Sequence, residues 1–236
     1  MDQEFNPELG YSAADAVPAE RASFIRKTYL HLAAAILAFI GLEAFFFVSG
    51  IAQAVLDVLQ LGGRLSWFVV LAAFMGVSFV ANKWAHSEVS KTTQYLGLIV
   101  YIIAEALIFI PLINIAAYFG GADTLVKAGV VSIGLFLGLT AVVFITRVDF
   151  SFLGSILAIG GLIALAFIGA SLIFGFSLGS VFAFVMVGFA ATAILYDTSN
   201  VIRSYHPTQY VAASLALFAS IALLFWSILT IFSSDD

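Results

Sequence analysis

Three acidic residues lie inside long apolar runs of this 236-residue chain. Glu43 and Glu105 stand well within their runs, and Asp197 closes the run that ends Ile-Leu-Tyr-Asp. An ionisable side chain in a membrane-spanning segment is costly, so it usually faces the interior of a helix bundle or a water-filled path. There a carboxylate can bind a cation or exchange a proton. These residues are therefore the first candidates for chemistry.

Asp197 is the strongest of these candidates. It lies in the last turn of its predicted helix, where the helix dipole disfavours a negative charge, so a nearby cation is expected. Lys83 is the first choice because its helix ends at the same depth, followed by Arg147 and Arg203. Two interpretations stay open: a structural salt bridge at the membrane surface, or a carboxylate whose protonation opens and closes a polar path. Asn200, one turn further on, extends the polar stripe towards the cytoplasm.

Depth separates the other two acids from Asp197. Glu43 and Glu105 fall in the outer halves of their predicted helices, whereas Asp197 lies near the cytoplasmic end. At about 1.5 Å per residue, Glu105 and Asp197 differ in depth by very roughly 15 Å and cannot pair directly. Glu43 is close enough to the outer surface for its carboxylate to reach water. Glu105 is expected either to be buried, protonated or hydrogen-bonded, or to line a path with Asp197.

The composition places the chain in lipid. Hydrophobic residues make up 63% and charged residues 10%, with a mean hydropathy of +1.12, whereas water-soluble domains are roughly half apolar and a quarter charged. The chain has no cysteine, which excludes disulfides and thiolate metal sites. No region is basic enough to indicate nucleic-acid binding.

Seven apolar runs approach the roughly 20 residues that cross a bilayer. Because a backbone in lipid must satisfy its own hydrogen bonds, these runs are expected to be helices. The sequence therefore predicts an all-α membrane protein with seven transmembrane helices, and a short interfacial helix at 51–61. Gly134 and Gly138 form a GxxxG pair that would let a neighbouring helix approach closely. The runs are 28–49, 66–84, 94–115, 124–145, 152–174, 178–198 and 210–232.

The basic residues predict the orientation of the bundle. Cytoplasmic segments of multi-pass proteins are enriched in Lys and Arg. With a cytoplasmic N-terminus and an external C-terminus, seven basic residues fall inside and two outside. Residues 1–22 are then a flexible cytoplasmic tail, and 23–236 the transmembrane domain. The inner residues are Arg21, Arg26, Lys27, Lys83, Lys91, Arg147 and Arg203, and the outer ones Arg64 and Lys127.

An enzymatic role is not expected. Tyr196-Asp197 resembles one half of an aspartyl intramembrane protease site, but the chain lacks the second aspartate in a Gly-x-Gly-Asp sequence. The three histidines, His31, His86 and His206, are far apart and show no metal-ligand spacing. The sequence therefore predicts neither a resident metal nor a cofactor.

Three stretches carry a resemblance to a known family. They are Phe136-Leu-Gly-Leu-Thr-Ala with the following Thr146-Arg-Val-Asp-Phe-Ser-Phe-Leu-Gly, then Tyr196-Asp-Thr-Ser-Asn-Val-Ile, and then the last helix from Gln209 to Ser220. In this order and spacing they resemble the Bax inhibitor (transmembrane Bax inhibitor motif) family, from about residue 24 onward. The Asp-Thr-Ser-Asn-Val-Ile sequence and Ser220 look most like its bacterial YccA-like subgroup.

The resemblance implies a multi-pass protein of the bacterial inner membrane with one of two roles. One is restraint of the membrane-anchored, ATP-dependent protease FtsH. The other is a pH-sensitive calcium leak, with Ca²⁺ as a transient permeant ion and a gate of two aspartates on the last two helices. Asp197 matches the first aspartate, but the second position is Ser220. This difference favours the protease partner over the leak, and Ser220 is expected to hydrogen-bond Asp197 if their helices pack there.

Overall fold

A computed structural model describes residues 12–87 and 90–234, without the side chains of residues 64 and 65. Part of the predicted tail, residues 1–11, and the side chain of Arg64 therefore lie outside the described residues. The described chain is helical almost throughout. The helices are α1 (Pro18–Ser49), α2 (Ile51–Ala85), α3 (Lys91–Thr146), α4 (Leu153–Phe174), α5 (Gly179–Arg203) and α6 (Tyr210–Phe232).

Among the described residues, six helices are long and apolar enough to cross a membrane. Five of them correspond to five of the predicted runs. A shorter apolar helix, Ile51–Gly63, precedes the span in α2, and non-helical torsion angles at Gly63 separate the two. The predicted short helix between the first two runs is therefore present. The remaining two runs lie together in α3, which is 56 residues long.

α3 folds back on itself. Its backbone leaves the helical region at Gly121 (φ 70°, ψ −178°). Before this break, Tyr95 packs against His31, and after it Phe144 packs against Tyr29. Tyr95 and Phe144 would be roughly 70 Å apart in a straight helix, yet they contact α1 within one turn. α3 is therefore a helical hairpin, because glycine adopts positive φ without the steric penalty of a side chain.

The core is built from α1, the first arm of α3, and α6, which run in the same direction. Phe39 on α1 packs edge-on against Phe109 on α3 and Phe218 on α6, with ring centroids 5.1 and 6.0 Å apart. On α6, Phe225 stacks on the ring of Phe109 and Trp226 packs edge-on against it. The buried side chains are concentrated on these helices, whereas α4 has only Ala164 buried among its described residues.

One glycine allows α2 and α3 to approach closely. A side-chain carbon at Gly97 would lie 2.5 Å from the carbonyl oxygen of Ala81 and 2.6 Å from the amide nitrogen of Ala85. By contrast, the prediction that Gly134 and Gly138 mark a close approach is wrong. A side-chain carbon at either position would meet no atom within 4 Å, because no described helix packs against this face of α3.

The segment before α1 packs on the bundle. α1 begins at Pro18, inside the stretch assigned to the tail, because proline favours the first turn of a helix, where a missing N–H costs nothing. Ala13 is fully buried, and its amide donates to the carbonyl oxygen of Tyr205 at 2.8 Å. The segment before α1 is therefore attached, through Ala13, to the loop that follows α5.

Candidate functional site

Asp197 and Ser220 form the central contact of the site. The Ser220 hydroxyl donates to Asp197, with 2.5 Å between Ser220 Oγ and Asp197 Oδ2. Asp197 is part-buried on α5, and Ser220 is 6% exposed on α6. A short loop, residues 204–209, joins these antiparallel helices. The two side chains meet about two turns before the end of α5 and about three turns after the start of α6. The hydrogen bond expected between Asp197 and Ser220 is present.

The predicted cation beside Asp197 is not there. Among residues 12–87 and 90–234, no Lys or Arg forms an ion pair with Asp197. Lys83 is exposed to solvent. The guanidinium of Arg203 instead donates to the carbonyl oxygen of Arg147. Lys83 was chosen because its predicted depth equals that of Asp197, and equal depth was taken to mean contact. The carboxylate of Asp197 instead points from α5 towards α6.

Tyr205 links Asp197 to the segment before α1, and sequence reasoning missed it. Burial and then the negative charge of Asp197 raise the pKa of the Tyr205 phenol above its ordinary value. Its ring stacks on His86, with centroids 6.2 Å apart, and its carbonyl oxygen holds Ala13. The position of Tyr205 in a short polar loop after α5 was the available signal. Tyr205 therefore joins α5, the end of α2 and residues 12–17.

Asn200 serves the end of α5 rather than Asp197. Its carbonyl oxygen accepts from the amides of Ser204 (2.8 Å) and Tyr205 (3.2 Å). Its side-chain oxygen accepts from the hydroxyl of Ser204 at 3.4 Å. Asn200 therefore helps to close the helix, which is a common role of polar side chains near helix ends.

The turn after α3 packs on the same part of α5. The Phe150 amide donates to the hydroxyl of Ser199 at 3.0 Å. Gly154 lies under the ring of Tyr196, where a side-chain carbon would come within 3.0 Å of the ring. The Thr146–Gly154 and Tyr196–Ile202 stretches, distant in sequence, are therefore in contact. This arrangement supports the α5 segment that carries Asp197.

The two remaining acids are buried, and neither forms a hydrogen bond with Asp197 in the described part of the chain. Glu105 is 6% exposed and accepts a hydrogen bond from Tyr101 at 2.8 Å, with the donor one turn earlier on α3. Glu43 is 7% exposed, and neither of its oxygens has a hydrogen-bond partner among the described residues. The prediction that Glu43 reaches the outer surface is therefore wrong. Its position on the buried face of α1, one turn after Phe39, decides its environment.

A second polar cluster lies where α1, α3 and α6 meet. His31 Nδ1 donates to the carbonyl oxygen of Lys27 at 2.7 Å, and His31 Nε2 lies 2.9 Å from Tyr95 Oη. The ammonium groups of Lys27 and Lys91 lie 5.4 and 4.6 Å from the ring centroid of Tyr210, within range of a cation–π interaction. Sequence reasoning treated His31 as an isolated residue, because its partners are separated widely in sequence.

The fold and the site define a polytopic helical membrane protein with buried acids in its bundle. Residues 21–236 match the family of the inhibitor of apoptosis-promoting Bax1. The chain belongs to this Bax inhibitor family.

Relatives occur in bacteria and eukaryotes. An uncharacterized protein of Pseudomonas aeruginosa is 32% identical, with 95% of this chain and 96% of the relative covered. The modulator of FtsH protease YccA of Escherichia coli is 28% identical, with 71% and 76% covered. Protein LIFEGUARD 4 of Arabidopsis thaliana is 29% identical, with 93% and 87% covered.

Proposed function

We propose that this protein is a regulatory partner of a membrane-anchored, ATP-dependent protease of the FtsH type, with no chemistry of its own. The similarity to YccA, whose name describes it as a modulator of FtsH protease, supports this proposal. The observation that carries it is the bond from Ser220 to Asp197. A neutral hydroxyl occupies the position at which the two-aspartate gate of the family would need an acid.

The membrane arrangement that suits this role has seven crossings in a bacterial inner membrane, with the N-terminus cytoplasmic and the C-terminus outside. Because α1 and α6 run in the same direction, an odd number of crossings between them is favoured. Five crossings lie between them: α2, the two arms of α3, α4 and α5. The name of another relative, the inner membrane protein YccA, supports the location. The basic residues at the starts of α1 and α3 support the orientation.

Co-purification tests the protease proposal. The full-length chain, expressed with a tagged FtsH protease in a bacterial membrane, should be recovered with it in mild detergent. Deletion of residues 1–11 leaves Ala13 and its contact with Tyr205 intact, and it should reduce recovery if the preceding segment contributes to binding. Recovery no greater than that of an unrelated multi-pass protein would reject the proposal.

A passive calcium or cation leak gated at Asp197 is the alternative function. The observation that favours it is the burial of Glu43 and Glu105 within the bundle, because acids inside membrane bundles often mark ion paths. Purified protein in liposomes would then pass Ca²⁺, and Asp197→Asn would change the pH dependence of the flux. Flux equal to that of empty liposomes would reject this alternative while leaving the protease partnership open.

A further inference from the structure

We propose that a cavity between α1, α3 and α5 binds the headgroup of an anionic phospholipid. The cavity has a volume of about 240 Å³ and is lined by Arg21, Ile25, Phe144, Arg147 and Ile202. It is separate from the contact between Asp197 and Ser220, and the proposal stands whether or not the protein binds a protease.

The cavity is divided between charge and apolar surface. Arg21 and Ile25 lie one turn apart on α1, and Arg147 follows Phe144 at the end of α3. The apolar wall is completed by Ile202 on α5, which is 6% exposed. A phospholipid has the same two parts. Its phosphate would contact the arginines, and its glycerol and first methylene groups would contact the apolar wall.

The two guanidinium groups have no acidic partner in the described structure. Neither Arg21 nor Arg147 forms an ion pair within residues 12–87 and 90–234. The nearby Asp149 carboxylate accepts from the amide of Ser151 at 2.9 Å. Guanidinium groups bind phosphate oxygens through paired, charge-assisted hydrogen bonds. The cavity therefore offers two cations to an anion that the described residues do not supply there.

Arg147 is held in a strained conformation at this cavity. It has φ 54° and is the one non-glycine residue with positive φ in the described part of the chain. Its amide donates to the carbonyl oxygen of Val143 at 2.9 Å, and its own carbonyl accepts from the Arg203 guanidinium. A left-handed conformation at a residue with a side chain costs energy and often marks a functional position. Here it fixes a cation at the end of α3 where glycine would be easier to accommodate.

The size and position of the cavity favour a lipid headgroup over a free anion. A volume of about 240 Å³ is many times the roughly 10–15 Å³ that a single water molecule needs by the same measure, so a phosphoglycerol group can enter. The charged residues lie at the ends of membrane-length helices, and basic pockets between such helices bind anionic headgroups. Free phosphate would make no use of Ile25, Phe144 and Ile202.

Native mass spectrometry of the full-length protein tests the proposal. The protein is extracted from nanodiscs of phosphatidylcholine alone, or with added phosphatidylglycerol, and its retained lipids are counted. Phosphatidylglycerol should be retained preferentially, and Arg21→Gln should weaken its binding on the order of tenfold, the effect of losing one charge-assisted contact. Arg26→Gln is the matched control, because Arg26 is exposed on the same helix and does not line the cavity.

A second variant separates binding from folding. Arg147→Gly removes the guanidinium but suits the left-handed conformation, so the protein should keep its thermal midpoint and lose phosphatidylglycerol. Equal losses in Arg21→Gln and Arg26→Gln would indicate general surface charge and overturn the proposal. The proposal would also be overturned if inorganic phosphate raised the thermal midpoint as much as phosphatidylglycerol does. A third contrary result would be phosphatidylglycerol binding that appears only after deletion of residues 1–11, since that acidic segment would then occupy the cavity.

Discussion

The hydroxyl of Ser220 donates to the carboxylate of Asp197 across the interface of α5 and α6, over 2.5 Å. Within the described residues, neither Lys83 nor any other Lys or Arg forms an ion pair with this carboxylate. The acid therefore relies on a neutral donor from the neighbouring helix.

Ser220→Ala is expected to destabilise the bundle. It leaves the part-buried carboxylate of Asp197 without its donor, at a cost of about 1–3 kcal/mol. Thermal unfolding in detergent measures the effect. Ser227→Ala is the matched control, because Ser227 is also buried on α6 but donates to the carbonyl oxygen of Leu223 in its own helix. Equal losses in the two variants would show that the contact with Asp197 adds no stability.

Ser220→Asp is expected to make stability depend on pH. It places a second carboxyl beside Asp197, and two ionised carboxylates at such a distance repel each other. The variant should therefore be most stable in acid, where one or both groups are protonated, and lose stability as the pH rises. Thermal midpoints measured from mildly acidic to mildly alkaline pH test this. A difference from the wild type that stays constant with pH would contradict the expectation.

Glu43 and Glu105 are expected to respond differently to replacement by methionine. Glu43→Met removes two buried oxygens that have no partner among the described residues, so the free energy of unfolding should rise by about 1–3 kcal/mol. Glu105→Met removes the acceptor of the Tyr101 hydroxyl and should give a smaller gain or a loss. Unfolding of both variants in mixed detergent micelles provides the comparison. A loss at Glu43 as large as that at Glu105 would indicate that the Glu43 carboxylate has a favourable partner.

Gly97→Ala is expected to push α2 and α3 apart. The added carbon would lie 2.5 Å from the carbonyl oxygen of Ala81, and overpacking of this kind costs about 1–3 kcal/mol. Gly134→Ala is the control, because a side-chain carbon there meets no atom within 4 Å and alanine is the better helix former. The thermal midpoint should fall for the first variant and stay or rise for the second. The reverse order would place the close approach elsewhere.

Asp149 is expected to add a pH-dependent contribution to stability in acid. Hydrogen bonds from Ser151, first from its amide and then from its side chain, lower the pKa of Asp149 below its ordinary value. A lowered pKa in the folded state gives a contribution that is present above the unfolded value and is lost as the pH falls through the folded one. Asp149→Asn should remove this part of the acid dependence, whereas Asp123→Asn, at an exposed acid, provides the comparison. Thermal midpoints of both variants, measured between roughly pH 5 and pH 3, test this. If the two variants behave alike, Asp149 makes no such contribution.

Helix positions were largely predictable, because membrane-length apolar runs identify helices by length alone. The contact of Asp197 with Ser220 was also predictable, because the resemblance to the family pairs these two positions on the last two helices. The direction in which a side chain points around its helix could not be predicted, and for this reason Lys83 and Glu43 were misplaced.

Contacts between distant segments were beyond sequence reasoning. The meeting of His31 with Tyr95 and Tyr210 depends on how three helices cross, and those helices are equally apolar on most faces. A soluble helix has an apolar side that packs and a polar side that faces water. A helix in lipid is apolar on both its packed and its lipid-facing sides, so the sequence does not show which side packs. The fold-back at Gly121 was predicted as two runs, but the hairpin itself became evident only from the contacts of Tyr95 and Phe144 with α1.

The parallel core also sets an order of biosynthesis. α6 follows every other described helix in the chain, and most of its apolar residues are buried inside the bundle. Phe218 reaches Phe39 on α1 and Tyr101 on α3, both translated well over a hundred residues earlier. Until α6 enters the membrane, the groove between α1 and α3 lacks the side chains of α6. A nascent chain halted before residue 210 would therefore remain an unfinished bundle with its central groove open.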